Sequence, residues 1–88
     1  MRLRPALTRF SDDMERKLRA HDDDRGDHGW CDESPRWLLE RLKDEVLELE
    51  YELNRPELLV PLATEEAVDV ANFAMMIHDV LKREETKP

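Results

Sequence analysis

The stretch EAVDVANFAMMI, from Glu66 to Ile77, decides the fold of this chain. Nine of its twelve residues are apolar, and only Glu66, Asp69 and Asn72 are polar. At about 100° per residue, those nine side chains cover nearly the whole circumference of a helix. A helix that is apolar all round is typical of the middle of a structure, so we expect this one to be central.

Two shorter helices are predicted before this central one. Apolar residues at spacings of three and four predict a first helix over residues 4–20. Ser34 followed by Pro35 is typical of an N-cap and a first helical position. The apolar pattern that follows them predicts a second helix over residues 35–53.

The central helix itself is predicted to run over residues 64–84. Thr64 is the next candidate N-cap in the sequence. Pro56 and Pro61 assign the preceding stretch to a connection, because proline is disfavoured inside a helix. No segment alternates convincingly between apolar and polar residues, so the sequence predicts an all-α fold class.

Size and charge limit the class of protein. The 88 residues predict a single domain over 1–88, with a loop at 21–34 and a frayed tail at 82–88. With 14 basic and 22 acidic residues the net charge is −8, so the surface should repel the phosphate backbones of nucleic acids. No apolar run approaches the roughly 18 residues of a membrane span. The lone Cys31 cannot form an internal disulfide, and no signal peptide is apparent, so we expect a cytoplasmic protein.

The central helix also predicts an oligomer. Two other short helices cannot surround a helix that is apolar on nearly every side, and a chain of this length has only a small core of its own. We therefore expect a short helical bundle that is completed by homo-oligomerisation, with a second copy covering the rest of the central helix.

Two pairs of carboxylates are the candidate chemical site. Glu45 and Glu48 are three residues apart on the second helix, and Glu66 and Asp69 are three apart on the third, so each pair projects from one side of its helix. Glu45 lies about 20° from Leu38 on a helical wheel, at the edge of the apolar arc. If the apolar arcs meet, four carboxylates converge and need a positive partner. No Lys or Arg lies on the third helix between 64 and 80, so a divalent cation such as Mg²⁺ is the economical partner.

Two simpler interpretations of these acidic residues are open. Glutamates three residues apart often form a solvated helix face with no further role. Glu65 and Glu66, in the first turn of the predicted helix, could also merely complement the positive end of the helix dipole. What favours the metal interpretation is that the second pair lies on a helix that has no other polar face.

The same residues also resemble a known family. Asp44-Glu45-Val46-Leu47-Glu48, a gap of seventeen residues, and then Glu66-Ala67-Val68-Asp69 are similar to the EExxE, spacer, ExxD signature of the MazG-like all-α nucleoside triphosphate pyrophosphatases. GWCDES at 29–34 and VDVANFAMMIHDV at 68–80 resemble the small phage-type members, and together the similarity covers roughly residues 8–82. The departure is Asp44, where the family often has Glu.

The resemblance implies an activity and a ligand set. Glu45, Glu48, Glu66 and Asp69 would hold Mg²⁺, for which Mn²⁺ can substitute, and Glu45 or Glu48 would activate the attacking water. The reaction would convert a nucleoside triphosphate to its monophosphate and pyrophosphate, in a homodimer or a homotetramer built as a dimer of dimers. The phage-type resemblance favours (d)GTP to (d)GMP, in a host cytoplasm if the source is viral, with a dUTP or house-cleaning specificity as the rival.

Four residues are candidate nucleotide contacts. Trp30 follows Gly29 in a loop with His28 and Asp32 nearby, a composition typical of a flap that stacks on a base. Trp30 as a hydrophobic anchor of the loop is equally open. Asn72, one turn after Asp69, would contact a ribose or base, or else is a satisfied amide in the core. The family resemblance favours ligand contact for both Trp30 and Asn72.

A different class of function also fits the acidic residues. A small helical interaction protein could present the same acidic stripe to a basic partner and carry out no chemistry. The two hypotheses differ in what neutralises the carboxylates, because only the enzyme requires a metal ion and a triphosphate.

Overall fold

The structure, a computed structural model, describes residues 2–22 and 29–87 and contains three long helices. They are α1 (Pro5–Ala20), α2 (Pro35–Leu53) and α3 (Val60–Glu85). No strand occurs within those two ranges, which confirms the predicted all-α class. None of the helices described has the length and hydropathy that a membrane span requires.

The start of α2 follows directly from its sequence. Ser34 has an extended backbone, and its hydroxyl accepts a hydrogen bond of 3.1 Å from the backbone N–H of Trp37. Pro35 fills the first turn, where its missing N–H leaves no helical bond unmade. The predicted range of 35–53 is confirmed, and α1 begins one residue later than predicted.

The predicted start of α3 is wrong by one turn. The helix begins at Val60, with Leu59 as the N-cap, and Pro61 lies in its first turn rather than in the connection. Thr64 is inside the helix, where its hydroxyl donates to the carbonyl of Pro61 over 3.0 Å. No acidic residue lies in the first turn, so the helix dipole does not account for Glu66.

The three helices are arranged around α3. α2 packs along α3, and α1 packs against α3 but makes no comparable contact with α2. The core between α2 and α3 consists of Leu38, which is fully buried, with Phe73 and Val80. Trp30 from the turn before α2 packs against this core. Glu45 and Glu48 of α2 meet Glu66 of α3 where these two helices pack.

A single copy leaves much apolar surface uncovered. None of the residues of α1 is buried. Leu47 and Tyr51, one turn apart on α2, are each 64% exposed. Further large apolar side chains are exposed along the chain: Leu3, Leu7, Trp37, Val46, Leu53, Leu58, Val60, Leu62 and Leu81. The predicted oligomer stays a prediction, and these side chains are what it would have to cover.

Candidate functional site

Three of the four predicted metal ligands meet between α2 and α3. Glu45, Glu48 and Glu66 each place a carboxylate oxygen so that all three oxygens lie within 4.8 Å of one another. Glu45 is buried, Glu66 is half-buried and Glu48 is exposed. The spacing of three residues puts Glu45 and Glu48 on one side of α2, and the packing of the helices brings Glu66 to them. We call these three residues the carboxylate cluster.

The carboxylate cluster is electrostatically strained. Burial, together with the neighbouring carboxylate of Glu48, raises the pKa of Glu45 from 4.5 to about 7. Burial and the same Glu48 carboxylate also raise the pKa of Glu66. Glu45 is only 8% exposed, and among the described residues neither its Oε2 atom nor the buried Oε2 of Glu66 has a hydrogen-bond partner. Buried oxygens without donors are the ligands that a hard cation would satisfy.

Asp69, the fourth predicted ligand, is engaged by a cation of the chain itself. Lys17 of α1 places its Nζ 2.7 Å from Oδ1 of Asp69 and 3.1 Å from Oε2 of Glu65. Arg16 binds the other oxygen of Glu65 over 3.0 Å, and these two cations hold the pKa of Glu65 below its usual value. Asp69 lies close enough to the carboxylate cluster to raise the pKa of Glu45, although it is not among the three that converge.

Sequence reasoning missed Lys17 because it looked for cations on α3 alone. The signal was present, since Lys17 lies one turn after Asp13 and directly after Arg16 on an amphipathic helix. Only the docking of α1 on α3 shows that this lysine faces Asp69. The compensating charge that the sequence assigned wholly to a metal is therefore supplied in part by α1.

Arg41 is a second functional candidate that the sequence did not indicate. Its guanidinium lies 3.2 Å from Asp44, 3.5 Å from Oε1 of Glu45, and 5.3 Å from the centre of the Phe73 ring. The contact with Phe73 is a cation–π interaction, which orients the guanidinium over the core. Arg41 thus holds one oxygen of Glu45 and leaves the other to the carboxylate cluster.

A cleft of about 700 Å³ lies beside the carboxylate cluster. It is bounded by α1, by the turn at 29–34 and by the facing sides of α2 and α3, and Glu45 and Asp69 form part of its wall. Of the predicted nucleotide contacts, Trp30 and Asn72 line it. Asp32 is exposed and does not line it, and His28 lies outside the described residues. The cleft is large enough for a nucleotide, because small-molecule sites commonly measure about 300–1,000 Å³.

Trp30 is anchored by a hydrogen bond and also lines the cleft. Its indole Nε1 donates to Oδ2 of Asp79 over 2.9 Å, and the same Asp79 oxygen accepts from Nε of Arg83 over 3.0 Å. The ring packs against the core and also lines the cleft. The hydrogen bond to α3 anchors the turn and leaves the ring as an aromatic wall of the cleft.

Asn72 is buried, and its amide nitrogen is the side-chain atom that makes a hydrogen bond. The side chain is 5% exposed, and its Nδ2 donates to the backbone carbonyl of Met14 on α1 over 3.4 Å. Its Oδ1 accepts no hydrogen bond from the described residues. The amide therefore links α1 to α3 through its nitrogen, and both interpretations of Asn72 stay predictions.

Comparisons with known proteins assign this chain to no family. No family model matches the chain, and neither the curated proteins nor the solved structures include a match.

Proposed function

We propose that this chain is a Mg²⁺-dependent nucleoside triphosphate pyrophosphatase of the MazG-like kind. The observation that carries the proposal is the carboxylate cluster, in which oxygens of Glu45, Glu48 and Glu66 lie within 4.8 Å at the side of a nucleotide-sized cleft. The unpartnered, buried Oε2 of Glu45 is a second, independent indication that a ligand belongs there.

The donor set fits a hard divalent cation. All the candidate ligands are carboxylates, which Mg²⁺ and Mn²⁺ prefer, and the sulfur and imidazole donors typical of zinc are absent from the cluster. Glu45, Glu48 and Glu66 would hold the ion, with Asp69 as the fourth ligand that the MazG-like signature implies. When bound, the metal neutralises phosphate oxygens and lowers the pKa of a bound water.

The chain's own side chains supply the remaining chemistry. Glu45 or Glu48 accepts the proton of the water that attacks the α-phosphorus, and pyrophosphate leaves as the bond between the α- and β-phosphates breaks. Glu48 is exposed and Glu45 is buried, so the two carboxylates differ in their access to solvent protons. Trp30 offers an aromatic face to the base, and Asn72 lies across the cleft wall where a polar group of the nucleotide would be recognised.

The charge of the cleft explains why a triphosphate requires a metal here. Four acidic and two basic residues are among those that line it: Asp22, Glu33, Glu45 and Asp69, with Lys17 and Arg41. A highly charged anion does not enter a net negative cleft unless cations offset the repulsion. The same charge disfavours an acidic protein or nucleic acid as the ligand.

The proposal extends to assembly and to the cellular task. The uncovered apolar side chains support a homodimer or a homotetramer, as the MazG-like resemblance implies. The task would be control of the nucleotide pool in the cytoplasm. Within the class, (d)GTP to (d)GMP is the first substrate to test, and dUTP or damaged nucleotides are the rivals.

The deciding experiment is a product analysis. The protein is incubated with Mg²⁺ and each common ribo- and deoxyribonucleoside triphosphate, and pyrophosphate and orthophosphate are measured separately. We expect monophosphate and pyrophosphate as the first products, and no turnover when the metal is chelated. Orthophosphate as the first product rejects cleavage between the α- and β-phosphates. No cleavage of any triphosphate would favour the non-catalytic interaction protein.

A further inference from the structure

The side chain of Lys17 binds two carboxylates of α3 and also lines the cleft. Its Nζ is bound to Asp69 and Glu65, and its side chain, which is 20% exposed, also lines the cleft. Among the described residues that line this cleft, Lys17 and Arg41 are the only lysine or arginine. Each is paired with a proposed metal ligand, Lys17 with Asp69 and Arg41 with Glu45.

We propose that Lys17 is a substrate-binding residue that exchanges partners, holding Asp69 until a divalent cation takes that carboxylate and then binding the triphosphate. The proposal rests on the proposed function, since it requires a metal at the carboxylate cluster. It adds a residue on α1, outside both acidic motifs, and gives that residue a role in the order of binding.

The exchange follows from charge. A divalent cation that reaches the carboxylate cluster repels a neighbouring ammonium and attracts Asp69 more strongly than a single positive charge does. Asp69 already lies close enough to interact electrostatically with both Glu45 and Glu66. An ammonium displaced from Asp69 remains at the cleft wall, where the negative charge of a triphosphate would be the nearest new partner.

The contact between α1 and α3 permits this movement. Lysine carries its charge on a flexible four-carbon stem, so the ammonium can change partners while the helix stays in place. α1 has no buried residue, and its described hydrogen bonds to α3 run through Glu65 and Asn72, with Asn72 contributing one long bond of 3.4 Å. The exchange therefore needs only a rotation of the Lys17 side chain, while α1 stays packed against α3.

The alternative is that Lys17 only stabilises the contact between α1 and α3. The two accounts predict opposite changes in metal affinity. If Lys17 competes with the metal, removing its charge frees Asp69 and strengthens metal binding. If Lys17 only stabilises the helix contact, removing its charge loosens the site and leaves the metal affinity unchanged or lower.

The test measures metal and substrate binding separately. Mn²⁺ is titrated into wild type, Lys17→Met and the control Arg16→Met, with no nucleotide present, and free Mn²⁺ is followed by electron paramagnetic resonance. Arg16 shares Glu65 with Lys17 but has no contact with Asp69, so it is a matched control. Melting curves by circular dichroism show that each variant is folded.

We expect Lys17→Met to bind Mn²⁺ at least threefold more tightly than wild type, while its KM for the triphosphate rises about tenfold. Arg16→Met should leave both quantities within twofold of wild type. An unchanged or lower Mn²⁺ affinity in a folded Lys17→Met overturns the exchange. An unchanged KM overturns the triphosphate contact.

A second variant decides the case if Lys17→Met does not fold. Glu65→Gln removes the other partner of Lys17, so the ammonium should hold Asp69 more firmly and Mn²⁺ should bind more weakly. Equal or tighter binding by Glu65→Gln overturns the exchange. A wild-type chain that binds no Mn²⁺ at millimolar concentration overturns the proposed function itself. Wild-type binding without these changes overturns the exchange alone.

Discussion

Glu45 of α2 and Glu66 of α3 bring carboxylate oxygens within 4.8 Å of each other across the contact between the two helices. Both groups have pKa values raised by burial and by the nearby Glu48. Like charges at this distance oppose the packing of α2 on α3 unless a proton or a cation lies between them. Stability and ligand binding should therefore be coupled at this one place.

Replacing Glu48 should separate activity from folding. Glu48→Gln removes a charged metal ligand and relieves repulsion in the carboxylate cluster, so turnover should fall at least a hundredfold while the melting temperature without metal stays equal or rises. The measurements are the rate of pyrophosphate release and the thermal melt. Glu50→Gln, an exposed glutamate of α2 outside the cluster, is the control and should retain wild-type rates. A fully active Glu48→Gln variant would contradict a catalytic or ligand role.

The metal-free chain should lose stability as the pH rises through the range in which Glu45 ionises. A carboxyl whose pKa is about 7 in the folded chain and 4.5 when it is fully solvated holds its proton longer in the folded chain. The folded state then binds more protons between these values, so the free energy of unfolding falls as pH rises from about 4.5 to 7. The stabilising contribution of Glu45 to the free energy of unfolding is fully present below pH 4.5 and absent above pH 7.

Glu45→Gln isolates this effect. The variant should match wild type at pH 4.5 and exceed it at pH 7.5, by up to about 3 kcal/mol, since each pKa unit corresponds to about 1.4 kcal/mol. Urea unfolding with a chelator present measures the difference, and adding Mg²⁺ should stabilise wild type more than the variant. A constant difference between the two proteins at both pH values would show that Glu45 is not the titrating group.

The helices that pack along one another are predictable from local signals. The hydroxyl of Ser34 and the ring of Pro35 fix the start of α2, because both act within one turn of the chain. The start of α3 was mispredicted because proline is compatible with a first turn as well as with a connection, and only packing decides between them. Spacing alone put Glu45 and Glu48 on one side of α2.

The partners of the site residues could not be read from the sequence. Pairing Lys17 with Asp69 depends on how α1 docks on α3, and the hydrogen bond from Trp30 to Asp79 depends on how the turn folds back. Both contacts join residues about fifty positions apart, for which helical periodicity carries no information. Local spacing thus indicates the candidate ligands, while the tertiary contacts determine which charges compensate these carboxylates.

Two variants of Trp30 should distinguish a stacking face from an anchor. Trp30→Phe keeps an aromatic face but loses the hydrogen bond to Asp79, whereas Trp30→Leu loses both. If the ring stacks on the base, the KM for the triphosphate should rise about tenfold in Trp30→Leu and less than threefold in Trp30→Phe. Steady-state kinetics measure both. Equal KM values in the two variants would leave Trp30 with the anchoring role alone.

The exposed apolar face of α2 should mediate assembly. Leu47 and Tyr51 are the most exposed large apolar residues described, at 64% each, and they lie one turn apart. Sedimentation at micromolar concentration should give two or four times the chain mass of 10.5 kDa for wild type, and a smaller species for the double variant Leu47→Lys, Tyr51→Lys. His78→Lys, at an exposed polar position of α3, is the control and should sediment as wild type does. A wild-type monomer with full helix content would show that the chain buries enough apolar surface alone.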